Sequence, residues 1–249
     1  YGQQEDSNRC DNNVACSEAD PYEDQVNSVI YLAMYQYICS AALINNTAQD
    51  LTPYVLTAQH CVDGEASVGQ HNTFTFYFNH QSSSCSGGSG SFGQSVTGSY
   101  LRAEDSSSDF ALLEMDDEPS WWWDPYYAGW SRYTSAPTIS VGIHHPGGQP
   151  KKINYENDTA GSSGSDWTIS WDNGGTTGGS SGSPAFDSNL RVIGQLYGGN
   201  VDCGGTDWYG KFSSSWSGSN SSSRLKDWLD PGNTSVYTLD GTYDGSEAV

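Results

Sequence analysis

The chain has 249 residues, enough for one large domain or two small packed units with a sizeable core. Its 29 Gly, 9 Pro and 38 Ser would suggest low complexity, but 9 Trp, 16 Tyr and 7 Phe exclude disorder over most of the length. Thirty Asp and Glu against nine Lys and Arg leave a net charge of −21, a surface that repels phosphate backbones and anionic headgroups. Nucleic acid and membrane surfaces are therefore excluded as expected partners.

In chain order, residues 1–26 are polar, hold Cys10 and Cys16, and read as an arm stapled to the body. The opening Tyr1-Gly-Gln-Gln-Glu-Asp has neither a basic nor an apolar region, so a mature secreted chain is expected. Val29–Tyr35 and Tyr37–Ile44 are β-branched and aromatic and predict two successive strands; broken by Gln36 and Ser40, they are too short to span a membrane. Pro53–Ala58 predicts a third strand, and Asn72–Phe78 alternates Thr with Phe at the period of a half-buried one. Ser82–Ser95 is a Ser/Gly loop carrying Cys85, and Phe110–Met115 is again a strand.

Asp116–Pro137, with Trp121-Trp-Trp at its centre, reads as the connection between two halves. Further strands are expected at Thr138–Ile143, Trp167–Trp171, Arg191–Tyr197 and Trp208–Ser213. Lys151-Lys152, in a Gly/Pro loop, is the expected point of proteolytic nicking. Leu225, Trp228 and Leu229 at i, i+3, i+4 predict one short helix over 222–231, stopped by Pro231-Gly232 and followed by a tail, 232–249. The expected layout is a first barrel at about 27–118 and a second at about 119–221, an all-β double barrel.

Six cysteines, even in number, scattered and without a CxxC pair, favour three disulfides and an oxidising compartment. Six cysteines allow fifteen pairings.

Three segments carry chemistry. Leu56-Thr-Ala-Gln-His-Cys ends a strand in His60; Ser107-Ser-Asp-Phe-Ala-Leu-Leu sets Asp109 at the mouth of an apolar strand; Gly179-Ser-Ser-Gly-Ser-Pro holds Ser181 between glycines. A serine hydroxyl becomes a useful nucleophile when an imidazole takes its proton, and a carboxylate on the other ring nitrogen fixes the tautomer. Glycines let the backbone N–H groups around the serine point at a developing oxyanion. The chain order His, Asp, Ser separates this set from the subtilisin and α/β-hydrolase orders. The other histidines, His71, His80, His144 and His145, read as surface or loop residues; His144 and His145 could bind a metal, but no third ligand is evident.

These stretches, with Ala41–Asp50, Gly142-Ile-His-His-Pro, Gly194-Gln-Leu-Tyr-Gly-Gly and Ser222–Pro231, make the chain resemble the chymotrypsin-like serine endopeptidases, and among them the bacterial lysyl endopeptidases. The resemblance covers about residues 10 to 231. It implies two six-stranded antiparallel β-barrels with a short C-terminal helix and a site in the cleft between them. It also implies His60 as general base, Asp109 as its orienter, Ser181 as nucleophile, and the N–H groups of Gly179 and Ser181 as oxyanion hole. Asp207, Tyr197 and Gly198 would form the S1 pocket, with Asp207 the carboxylate at its base. The implied disulfides are Cys10–Cys203, Cys16–Cys85 and Cys39–Cys61.

A monomer acting on polypeptides, with no cofactor or metal and Lys preferred over Arg at P1, is the expectation. Rivals are a trypsin-fold binding protein without catalysis and a protease of other P1 specificity. Two departures stand out. Ser180 replaces the Asp that precedes the nucleophile in digestive trypsins. Tyr197 stands where the family has His, and the short loop 159–166 holds no Trp to stack on it, Trp167 lying just beyond it as the nearest substitute.

Overall fold

Period-two runs rich in Val, Ile, Tyr and Phe pair because each presents one apolar face to a common interior. The computed structural model describes residues 10, 12–63, 69–201 and 203–244. Val29–Met34 and Tyr37–Leu43 form an antiparallel pair in register Val29↔Ala42 to Met34↔Tyr37, turned by the exposed Tyr35 and by Gln36. They sit inside a seven-stranded sheet ordered Ser95–Thr97, Thr75–Tyr77, Val29–Met34, Tyr37–Leu43, Tyr54–Ala58, Phe110–Met115, Ser99–Asp105. Its interior is filled by Ile30, Leu32, Leu43, Val55, Phe76 and Leu113.

The second half is a ten-stranded sheet. Its main path runs Asn12–Asn13, Lys152–Glu156, Ser140–His144, Pro184–Phe186, Val192–Gly199, Thr206–Lys211, Asp166–Ser170, Gly161–Ser163. Trp130–Ser131 joins Val192–Gly199 from the side and pairs with Thr238–Leu239. Two barrel-like sheets are present, but as seven and ten strands among the described residues rather than six and six. A shared cluster including Leu56, Phe110, Trp130, Val141, Phe186 and Phe212 welds the halves face to face.

Several local expectations are corrected. The arm is not merely a tether, although residues 1–9 lie outside the described chain. It folds into a 3-10 turn, Ser17–Tyr22, and a helix, Glu23–Ser28, that bury Ala19 and Val26 in the shared core. The C-terminal helix is two short turns, Ser221–Ser223 and Lys226–Leu229, separated by the extended Arg224. Leu225 and Leu229 are buried as the spacing requires. Of the tail, residues 245–249 lie outside the described chain.

Lys151 is no exposed loop residue. It is fully buried, its Nζ donates to the carbonyl of Val26 at 2.6 Å, and the half-buried Lys152 opens a strand, so the expected nick does not lie on an exposed loop. Among the described residues no helix is long and apolar enough to cross a membrane.

Candidate active site

The strand Tyr54–Ala58 ends in one helical turn, Gln59–Val62, which carries His60 out of the sheet. The disulfide Cys39–Cys61 ties that turn to the neighbouring strand. The His60 ring is 40% exposed, and its Nδ1 lies 2.8 Å from Oδ2 of Asp109. Asp109 Oδ1 accepts the His60 backbone N–H at 2.9 Å, so one carboxylate holds both ring and backbone. With the proton on Nδ1, the tautomer this contact favours, Nε2 is left as a proton acceptor.

Asp109 is buried and takes a left-handed backbone, φ +51°, which turns its side chain back toward His60. Its loop is clasped from the second sheet. Gln195 Nε2 donates to the carbonyls of Ser108, at 2.8 Å, and Asp109, at 3.2 Å, and a side chain on Gly210 would collide with the Ser108 carbonyl. Gln195 was invisible as a site residue in the sequence, because a Gln inside a strand carries no motif.

Ser181 lies at a turn packed directly on the His60 strand. Gly182, at φ +79°, touches the hydroxyl of Thr57 so closely that any Cβ would collide with it, and Ser40 donates its N–H to the Ser181 carbonyl at 2.8 Å. Gly179 takes φ +93°, where a Cβ would meet the His145 carbonyl at 2.8 Å. Only glycine meets both demands there.

His80, His144 and His145 are all buried, so none is a surface residue; His80 and His145 lie in loops, and His144 lies in a strand. The expected strand Thr138–Ile143 extends to His144, whose Nδ1 lies 2.7 Å from the Ser180 hydroxyl and whose Nε2 lies 3.2 Å from Asn154 Oδ1. The His145 N–H donates to Ser40 Oγ at 2.8 Å, and that hydroxyl donates to the Gly179 carbonyl at 2.9 Å. The Gly179–Ser181 turn is thus held from both sides by hydrogen bonds, with Ser180 in contact with His144 and Gly179 with Ser40.

Asp207 is fully buried in the strand Thr206–Lys211. Its Oδ2 accepts from the Trp171 indole at 2.6 Å and its Oδ1 from the Thr176 hydroxyl at 2.9 Å. Burial raises its carboxyl to about 6 although both hydrogen bonds pull it down. Neither Trp171 nor Thr176 was legible as a site residue, since they reach Asp207 across 36 and 31 residues of chain. Gly199 lies so close to the carboxylate that any side chain there would strike it, and beyond Gly198 there is open space. Tyr197 is half exposed, with its ring edge-on to His60 at 6.1 Å between centroids. Trp167 is buried, donates to the Ile193 carbonyl and lies under the Lys211 ammonium, so it cannot line the pocket rim.

A family model of the lysyl endopeptidase C-terminal domain matches residues 4–210. The chain belongs to the lysyl endopeptidase family. It is 31% identical over 206 residues to the lysyl endopeptidase of Pseudomonas aeruginosa, over 73% of this chain and 42% of that protein. This family member therefore spans less than half the length of that relative.

Solved structures share the fold. A Glu endopeptidase superposes with a TM-score of 0.55 at 21% identity, covering 80% of this chain and 89% of its own. The HtrA-type protease AlgW, solved with a tripeptide, gives 0.54 at 16% identity over 79% and 60% respectively. The family member's disulfides join Cys10 to Cys203, Cys16 to Cys85 and Cys39 to Cys61, tying the arm to the second sheet and to the Ser82–Ser95 loop.

Proposed function

We propose that this chain is a secreted serine endopeptidase that hydrolyses peptide bonds after basic residues, Lys preferred and Arg accepted. The observation that carries the reading is the meeting of three segments. The His60–Asp109 contact of 2.8 Å sits on the strand against which Gly182 packs, which brings the neighbouring Ser181 to that strand's end. In this reading His60 Nε2 takes the Ser181 proton as Oγ attacks the scissile carbonyl. Asp109 holds the imidazolium that forms, and the same proton then passes to the leaving amine. The N–H groups of Gly179 and Ser181 receive the oxyanion. Water hydrolyses the acyl-enzyme by the reverse proton path.

Asp207 supports the preference for a basic P1 side chain. Each of its oxygens accepts one hydrogen bond from the protein and keeps a lone pair for an incoming ammonium. A glutamate side chain would meet a buried carboxylate of its own sign, and an apolar one would leave it unpaired. The three disulfides support an oxidising, extracellular setting. Labelling with a radioactive organophosphate tests the chemistry. Stoichiometric incorporation on Ser181, lost in Ser181→Ala and in native protein unfolded beforehand, is expected; no incorporation into the folded chain would favour the binding-protein reading.

A further inference from the structure

Glu156 ends the strand Lys152–Glu156, is 4% exposed, and is one of the few buried acids among the described residues. Its Oε1 accepts the Asp158 N–H at 2.6 Å, but its Oε2 is buried with no hydrogen-bond partner. A buried carboxylate oxygen without a hydrogen bond is costly unless something positive completes it. Around the Glu156 carboxylate stand the acids of Asp158 and Asp172, along with the Asp172 backbone N–H. One carboxylate oxygen each from Glu156, Asp158 and Asp172 lies within 4.8 Å of the other two. They line a cleft of about 370 Å³ on the second sheet, apart from the His60 and Ser181 segments.

The frame under these carboxylates is firmly built. Asp172 Oδ2 accepts both the N–H and the side-chain amide of Asn157, at 3.1 and 3.0 Å. The N–H groups of Asp172 and Asn173 both donate to the Tyr155 carbonyl at 3.1 Å, pinning the 171–173 turn to the end of the Glu156 strand. The three acids are therefore held together by the backbone against their mutual repulsion.

We propose that Glu156, Asp158 and Asp172 form a binding site for one divalent cation, with calcium the favoured ion. The donors are carboxylate oxygens without sulfur or imidazole, which selects a hard cation over zinc or copper. Three carboxylates from two loops and a strand end suit the large, pliable shell of calcium better than the strict octahedron of magnesium. The turn such an ion clamps is the one that carries Trp171 and leads to Thr176, the two donors to Asp207. The proposal concerns ion binding alone and does not depend on the catalytic reading.

The test uses the whole purified chain, stripped with chelator, and CaCl2 exchanged against NaCl at constant ionic strength. Isothermal titration is expected to show one calcium per chain. The melting temperature is expected to rise by about 5 °C or more once calcium exceeds its Kd about a hundredfold. Asp158→Asn and Asp172→Asn, both at exposed positions, are expected to weaken binding at least about tenfold each while folding normally. Glu156→Gln is expected to abolish it. No saturable binding would overturn the site. So would a calcium response that Asp158→Asn and Asp172→Asn leave intact, because that is screening of the net charge and not coordination.

Discussion

Replacing Asp207 by Asn is expected to raise stability and lower activity together, and the size of the first effect follows from the site. Burial moves the Asp207 carboxyl from its ordinary 3.8 to about 6. Between those two values the folded chain keeps a proton that the unfolded chain has released, so stability falls as pH rises through this window. At pH 7 the full penalty stands, on the order of 3 kcal/mol. An amide in place of the Asp207 carboxyl would remove it without orphaning a partner: the amide oxygen still accepts from Trp171, while the amide nitrogen donates to a Thr176 hydroxyl turned to accept. With roughly 2–4 °C per kcal/mol for a chain of this size, the variant is expected to melt about 6–12 °C higher at pH 7.

That gain is expected to disappear below about pH 4, where both states of the wild type are protonated. In the same variant kcat/KM on Lys substrates is expected to fall at least about a hundredfold, because the ammonium loses its counter-charge in a desolvated site. In the wild type the Lys-to-Leu preference is expected to decline as pH falls through about 6. Calorimetry from pH 3.5 to 8, with paired peptides differing only at P1, reads all three effects. A variant that melts no higher at pH 7, or that keeps the wild-type preference for Lys over Leu, would refute the reasoning.

Ser181→Ala is expected to fold normally and lose activity by about six orders of magnitude, with His60→Ala costing about as much because the pair acts as a unit; stopped peptide assays and circular dichroism check it. His144→Ala, which removes the contact to the Ser180 hydroxyl, is expected to lower kcat about a hundredfold by letting the Gly179–Ser181 turn shift. His144→Gln, which keeps a polar partner, is expected to recover part of that loss in the same assay. Lys151 is pushed down to about 7 by burial, so between pH 7 and 10 the unfolded chain binds a proton the folded one does not. Wild-type melting temperature is therefore expected to climb relative to Lys151→Met across that range, a difference scanning calorimetry measures. With a net charge of −21, the melting temperature is also expected to rise with NaCl and saturate as the Debye length shortens to about 3 Å at 1 M; a flat curve would mean that the acids are neutralised locally.

Strands with a strong apolar or alternating pattern were legible: Val29–Met34, Tyr37–Leu43, Phe110–Met115 and Val192–Gly199 all lie where β-branched and aromatic residues predict them. Ser99–Asp105 and Lys152–Glu156 were not, because charged and polar residues break their apolar pattern although each forms a hairpin with a neighbouring strand, and the three residues of Pro184–Phe186 are too few to show a period. The segments bearing His60, Asp109 and Ser181 announced themselves through local chemistry. Their supports did not. Gln195, Trp171, Thr176 and His144 act through contacts made only when separate strands meet, and no spacing in the chain records such a meeting. Buried polar residues were misplaced for a related reason: Lys151 and His145 do lie in loops, but the sequence does not record that the arm and the Ser181 turn cover them.

Digestion of one soluble protein of known sequence, followed by sequencing of the fragments, tests the central claim most directly. The account predicts new C-termini at Lys, fewer at Arg and none in digests by Ser181→Ala. Cleavage after Glu or apolar residues, or a digest that Ser181→Ala performs equally well, would contradict it.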